Sequence, residues 1–380
     1  FLGWRAGYNV TTGARNTAIG YESLYNNTTS NDSIAIGYQA LYTGTALTQQ
    51  LAIGNQAGYN TTGSDNVFIG HECAYTNTTG NSNVAIGHRA FRANTTGSNN
   101  VAVGLGALAN NTTAGSCVAI GKNALNDNTT ASRNVAVGDG SQQLTTTGTD
   151  NTSVGDASLG SNTTGTLNTA VGRSALNANT TADANTAVGY DSMSSITSGY
   201  DNVSLGVNTL NTATTSYRSV AIGRSSLENQ NLSTATQVYN TAVGYRAAYS
   251  TTSGAYNVAV GSNNCLGPNN GSYNTAVGYN ALNLNTASNN TAIGHEALDA
   301  NTTGAELVAV GQGALGANTD GDQNTAVGRK ALEVNTTGAG NTAVGQRALD
   351  ANTTASNNTA VGRAALLSLI HISEPTRLLS

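Results

Sequence analysis

Histidine and cysteine are the residues of this chain with the most chemistry to offer, and their spacing decides what they can do. Three of the four histidines, His71, His88 and His295, follow a glycine that recurs along the chain. The same place is taken by Tyr21, Tyr38, Tyr190, Lys122 and Arg173. A position that accepts Tyr, Lys, Arg and His is a solvated face rather than a metal centre, and no zinc spacing accompanies it. Cys73, Cys117 and Cys265 stand far apart, which predicts small buried side chains rather than a disulfide framework. There is no phosphate-binding glycine loop, no Ser–His–Asp constellation and no calcium-binding aspartate repeat. Neither catalytic nor cofactor-binding residues are expected, and the chain is read as a non-enzyme.

One motif could carry chemistry of another kind. Asn-Thr-Thr recurs as an N-x-T acceptor for N-linked glycans, which would require a surface position on an exported protein. The candidate acceptors are Asn27, Asn77, Asn94, Asn111, Asn128, Asn162, Asn179, Asn301, Asn335 and Asn352. Turn chemistry accounts for the same triplet, because Asn tolerates left-handed backbone and Thr bonds locally.

What positions these residues is a repeat. The anchor glycine of "AVG" or "AIG" returns from Gly3 to Gly362, almost always after seventeen residues. Two intervals, Gly54–Gly70 and Gly278–Gly294, are sixteen, and Gly223–Gly244 is twenty-one, where "ENQNLSTATQV" predicts a protruding turn. A unit this short cannot hold a helical pair, so it predicts an all-β parallel β-solenoid (β-roll) of about 22 coils. Each coil is expected to hold two strands. The first is "N-[T/V]-A-[V/I]-G", with Val or Ile before the glycine in 20 of 21 repeats, Leu205 being the exception.

Strand alternation puts Val101 and Val103 on one face and Asn100 with Ala102 on the other. The second strand centres on "AL", as at Ala331–Leu332. The aliphatic side chains are expected inside the coil, with stacked Asn forming an amide ladder. Adjacent apolar residues would also imply burial on both sides, hence a second surface covered by a copy of the chain. Little apolar surface is available to offset the ordering of seventeen residues, which points the same way. Tyr21 with Tyr38, and Tyr25 with Tyr42, are expected to pair between coils or to meet sugars.

Composition bounds the partners. Of 380 residues only 9% are charged and the net charge is −5, so no footprint for nucleic acid exists. No apolar run reaches the length of a membrane span, and no membrane insertion is expected of this fragment. The chain opens inside a repeat, "FLG", so the natural termini are expected to lie beyond it. Residues 367–380, with "LSLIHISEPTR", have no counterpart upstream and resemble a translated sequencing adapter; they are expected to be a non-native tail, leaving 1–366 as the repeat domain.

At "NTAVGxxALxxNTTGxx" the chain resembles the head repeats of trimeric autotransporter adhesins, and more closely the "NTAVGYxAL" repeats of bacterial and phage tail-fibre-like proteins. The resemblance covers residues 1–366. It implies a left-handed roll, three chains around one axis, at a cell surface or on a virion tail. The expected function is an extracellular structural or adhesive fibre, a homo-oligomer able to extend end to end and coated by covalent glycans. The alternatives are a phage tail-fibre shaft or a carbohydrate- or ice-binding module; against ice stands the different orientation of adjacent threonines in Asn-Thr-Thr.

Overall fold

The structure, a computed structural model, describes residues 1–231, 238–265 and 271–367. It divides into two compact units, Phe1–Tyr200 and Asp201–Ser380. Each is a parallel β-solenoid, and among the described residues there is no helix. The first unit stacks eleven three-residue strands, from β1 (Thr17–Ile19) to β11 (Thr186–Val188); the second stacks ten, from β12 (Val203–Leu205) to β21 (Thr359–Val361). Neighbouring strands are parallel and in register at one repeat: Val84 pairs with Val101, and Val101 with Val118. The expected seventeen-residue rung is thus the structural unit. The loop expected in "ENQNLSTATQV" and the tail from 368 lie outside the described residues, the loop in its central part.

Register survives the two short rungs. Leu51 still pairs with Val67 and Thr275 with Thr291, each across sixteen residues. What both short rungs lack is one residue of the Asn-Thr-Thr-Gly turn, reduced to "TTG" after Asn60 and "NTA" at Asn285. An exposed turn residue can be deleted because nothing stacks on it from inside.

Each rung holds one strand rather than two. The expected second strand, around "AL", is a run of turns with every second residue left-handed: Asn123 at φ 54° and Leu125 at φ 49° in one rung, Lys330 and Leu332 at 59° and 53° in another. This changes which way side chains point. In extended backbone Ala124 and Leu125 would face opposite sides; the left-handed turn brings both inward, and both are fully buried. A left-handed leucine costs about 1–2 kcal/mol, and burial of its side chain, worth about 1.5–3 kcal/mol, offsets it. The turn N–H groups still bond to neighbouring rungs, Leu108 to the Ala124 carbonyl at 3.0 Å and Asn110 to the Asn126 carbonyl at 3.0 Å. Adjacent Ala and Leu therefore say nothing about burial against a second molecule.

The first strand is also turned the other way from expectation. Its middle residue, Ala102 in β6 (Val101–Val103), points into the coil and is fully buried, while Val101 and Val103 are only half-covered on the outside. The interior is narrow. It admits the Ala of each strand, the Ala and Leu of the turn, and a set of asparagines. The anchor glycine keeps it that narrow: at Gly104, φ is 136° and a Cβ would lie 2.4 Å from the Gly121 carbonyl oxygen one rung on.

Candidate functional site

Two internal amide ladders run through each coil stack. The first uses the Asn that precedes 16 of the 21 strands. Asn100 Nδ2 donates to Asn83 Oδ1 at 3.1 Å and to the Ala114 carbonyl at 3.0 Å, while its Oδ1 accepts the Cys117 N–H at 2.9 Å. The expected ladder is therefore real, and it lies inside. The second ladder is formed by the Asn of Asn-Thr-Thr. Asn111 Nδ2 donates to Asn94 Oδ1 at 2.8 Å and to the Ala114 carbonyl at 3.2 Å, and Asn94 Oδ1 also accepts the Gly97 N–H at 3.1 Å.

All ten candidate glycan acceptors occupy this second column. Nine of them, from Asn27 to Asn335, are fully buried, and Asn352 is 2% exposed. An N-linked sugar on such a nitrogen would have to sit inside the coil, so these positions are not presented for glycosylation in the folded chain. A turn asparagine reads as surface in sequence; here the next rung supplies its partners and draws it inward.

What the Asn-Thr-Thr turn does present is threonine. In the first unit, twelve consecutive rungs carry Thr directly after the ladder position, from Thr11 to Thr197. Ten of their hydroxyls donate to a carbonyl of the next rung: Thr95 bonds to the Thr112 carbonyl at 2.9 Å and Thr112 to the Thr129 carbonyl at 2.9 Å. The second Thr is exposed in seven consecutive rungs, from Thr79 to Thr181.

The aromatic residues stack between rungs. Tyr8, Tyr25, Tyr42, Tyr59 and Tyr75 form a five-ring column with centroids 5.0–5.3 Å apart and planes within 3–6°. Such rings cover one another's faces, which favours pairing between rungs over stacking on sugars. His71 and His88 stack in the same manner at 5.2 Å, and both are exposed to solvent. Among the described residues no group of three His, Cys, Asp or Glu side chains is arranged to hold a metal ion. Cys73, Cys117 and Cys265 are buried thiols, and burial pushes the Cys73 and Cys265 thiols up to about 12. Ellman's reagent is accordingly expected to find no reactive thiol in the native chain and three after denaturation; rapid native labelling would show that the coils open readily.

Ion pairs decorate the edge of the strand face. Arg133 grips Asp150 with two bonds, 2.6 and 2.8 Å, and Arg15 holds Asp32 in the same way one rung apart. The Arg133 guanidinium holds the Asp150 carboxyl down at about 2, against an ordinary 3.8. A folded value below the unfolded one means that the pair stabilises the fold above pH 3.8 and that this contribution disappears as pH falls through about 2. Both partners are surface groups, so the effect is small and screened by salt. The amide ladders do not titrate. A nearly flat unfolding midpoint from neutral pH to about 4 is expected, with decline confined below the ordinary carboxylate range; a midpoint already falling near pH 6 would show that a buried titrating group, and not the surface pairs, sets the pH dependence.

The remaining feature is the outward strand face. In the first unit the third strand residue is aliphatic in all eleven rungs, from Ile19 to Val188, and the first is aliphatic in seven consecutive rungs, from Ile34 to Val135. Most are half-exposed; Ile19, Ile34, Ile86 and Ile120 are 36–40% exposed. Thus over seven rungs two columns of aliphatic side chains, all β-branched except Leu51, stand on the outside of a parallel sheet. In the second unit only the third-residue column is aliphatic throughout, with Leu205, Val260, Ile293 and Val327 at 37–46%, while Thr begins six of the ten strands.

These features define a repeat protein of the parallel β-solenoid class, with polar ladders inside and an apolar ribbon outside. No protein-family model matches the sequence, and comparison with curated proteins finds no match either.

Proposed function

We propose that this chain is a non-catalytic structural element of an extracellular fibre, in which the outward strand faces of two or more copies pack together. The observation that carries the reading is the uncovered parallel sheet. Parallel sheets are almost always buried on both faces, and here one face is apolar and open. Eleven rungs at about 4.8 Å give a ribbon roughly 50 Å long, on the order of 10 Å wide over the seven rungs where both columns are aliphatic and about half that over the other four. Roughly 400 Å² of apolar surface lies in the range of the largest patch a monomer leaves uncovered. Doubled across a contact, it gives about 800 Å², to which the aliphatic column of the second unit adds toward the ~1,000 Å² expected of a specific interface. Three copies around one axis, in the manner of the adhesin heads and tail fibres that the repeat resembles, would cover every such face.

The test is the mass of the protein in solution. The wild-type chain is expected to sediment as an oligomer, and the variant Ile86→Lys/Val103→Lys/Ile120→Lys as a monomer with its β-structure intact. A wild-type monomer at high micromolar concentration, or an unchanged oligomer in the variant, would overturn the reading.

A second reading is favoured by the threonine columns. Locked hydroxyls in ten rungs beside seven exposed threonines form a regular surface of the kind that could meet an ordered ligand, ice or a polysaccharide. Thermal hysteresis or retention on insoluble polysaccharide, abolished by Thr113→Lys/Thr130→Lys, would support it over a purely structural role.

A further inference from the structure

Repetition raises a difficulty that a fold of distinct elements does not have. A strand displaced by one whole rung would still set Ala against Ala and Asn against Asn, so the hydrogen-bond ladder alone does not say which rung stacks on which. Three rungs of the first unit break that equivalence, each by a matched pair of changes in its own interior.

In the rung that opens at Gly37, the place of the turn asparagine is taken by Gly44, and the usual Gly or Ala three residues on is Leu47, fully buried. A Cβ at Gly44 would lie 2.5 Å from Leu47 Cδ1 and 2.6 Å from the Thr61 carbonyl oxygen of the following rung. Leu47 fills the space an asparagine would need. In the rung that opens at Gly54, the turn leucine is replaced by Gly58 and the strand alanine by Phe68, again fully buried. There a Cβ would stand 2.9 Å from Phe68 Cδ2 and 2.9 Å from Leu41 Cδ2 of the preceding rung. The third pair is polar: Gln142 replaces the leucine and Ser153 the alanine, and Gln142 Nε2 donates to Ser153 Oγ at 2.9 Å and to the Val135 carbonyl at 2.8 Å.

We infer that these matched pairs are register keys, which fix the numbering of rungs as the chain coils and oppose stacking on a wrong rung of the same chain or of a second copy. The reason is that two of the keys join the turn of a rung to the strand that closes it: Phe68 lies against Gly58, and Gln142 donates to Ser153. A consensus turn closed by Phe68 brings a leucine side chain into occupied space, and overpacked cores do not absorb such volume cheaply. This inference depends on the coil alone and stands whether or not the copies form a fibre.

Two experiments on the full chain test it. In a double-mutant cycle, Gly58→Leu and Phe68→Ala are each expected to lower the unfolding midpoint by several degrees, one by collision and one by a cavity, while the double variant returns close to wild type. A double variant as unstable as the sum of the singles would show that the pair is not matched. The second experiment regularises all three rungs, with Gly44→Asn/Leu47→Gly, Gly58→Leu/Phe68→Ala and Gln142→Leu/Ser153→Ala. After dilution from denaturant, this chain is expected to give severalfold more misassembled material than wild type, seen as multiple hydrogen-exchange populations per peptide and as larger species. Refolding to a single population with wild-type yield would overturn the role in register. Should the regularised chain fail to fold, the same comparison made on each single-rung double variant decides between the two outcomes.

Discussion

Gly104→Ala is expected to be among the most damaging single substitutions available in this protein, although it adds only a methyl group. At φ 136° the backbone occupies a region that L side chains rarely adopt, and the new Cβ would approach the Gly121 carbonyl oxygen to 2.4 Å and its carbonyl carbon to 2.6 Å. Strained backbone of this kind costs about 1–3 kcal/mol, and forcing the two rungs apart adds about 1–3 kcal/mol of overpacking. Rungs contact only their neighbours, so the damage is expected to be local at first, splitting the stack where the glycine column is broken. Limited proteolysis should then cut close to residue 104 in the variant and not in wild type. Ser82→Gly is the control: Ser82 is an exposed left-handed residue at φ 56°, and its replacement is expected to change stability by less than about 1 kcal/mol. Equal stability of Gly104→Ala and wild type would mean that adjacent rungs are not held at the spacing described.

The second large effect is expected from Asn100→Ala. Three hydrogen bonds disappear with the side chain: two given by Nδ2, to Asn83 and Ala114, and one accepted from the Cys117 N–H. The Cys117 N–H is left in a site that water does not reach, at about 1–3 kcal/mol for the orphaned group, and the lost side chain leaves a void besides. A loss of about 2–4 kcal/mol is expected, with accelerated amide exchange at Cys117 as its local signature. Should Asn100→Ala leave both stability and exchange unchanged, the internal ladder would be decoration rather than structure.

How much of this was legible in the sequence follows from what repetition can and cannot reveal. The rung length, the strand "TAV" or "VAI", the amide ladder before it and the solvated place of Tyr21, Lys122 and His71 are all local or strictly periodic, and they stand as read. The turn around Ala124–Leu125 was not legible, because two adjacent apolar residues alternate only if the backbone is extended. A left-handed leucine is uncommon enough that no pattern announces it. A faint signal existed: Gly106, Gly140 and Gly313 take the place held elsewhere by Asn123 or Lys330, and glycine is at home where φ is positive.

The direction of Val101 and Val103 was hidden for a different reason. Alternation groups residues by face but does not say which face is inside; the size of the interior decides, and only Ala102 and Asn100 fit it. Asn94 was misread as surface because its partners, Asn77 and Asn111, lie one rung away on either side. Its burial is a property of stacking that no single repeat displays.

The outward apolar ribbon is the claim on which the functional account rests, and a cryo-electron-microscopy map of the full chain at its native assembly state tests it most directly. The account predicts neighbouring copies joined through the column that runs from Ile19 to Val188, with Ile86, Val103 and Ile120 in side-chain contact across the seam and the threonine turns facing solvent. Isolated single coils with that ribbon bare, or copies joined through their threonine turns instead, would contradict it.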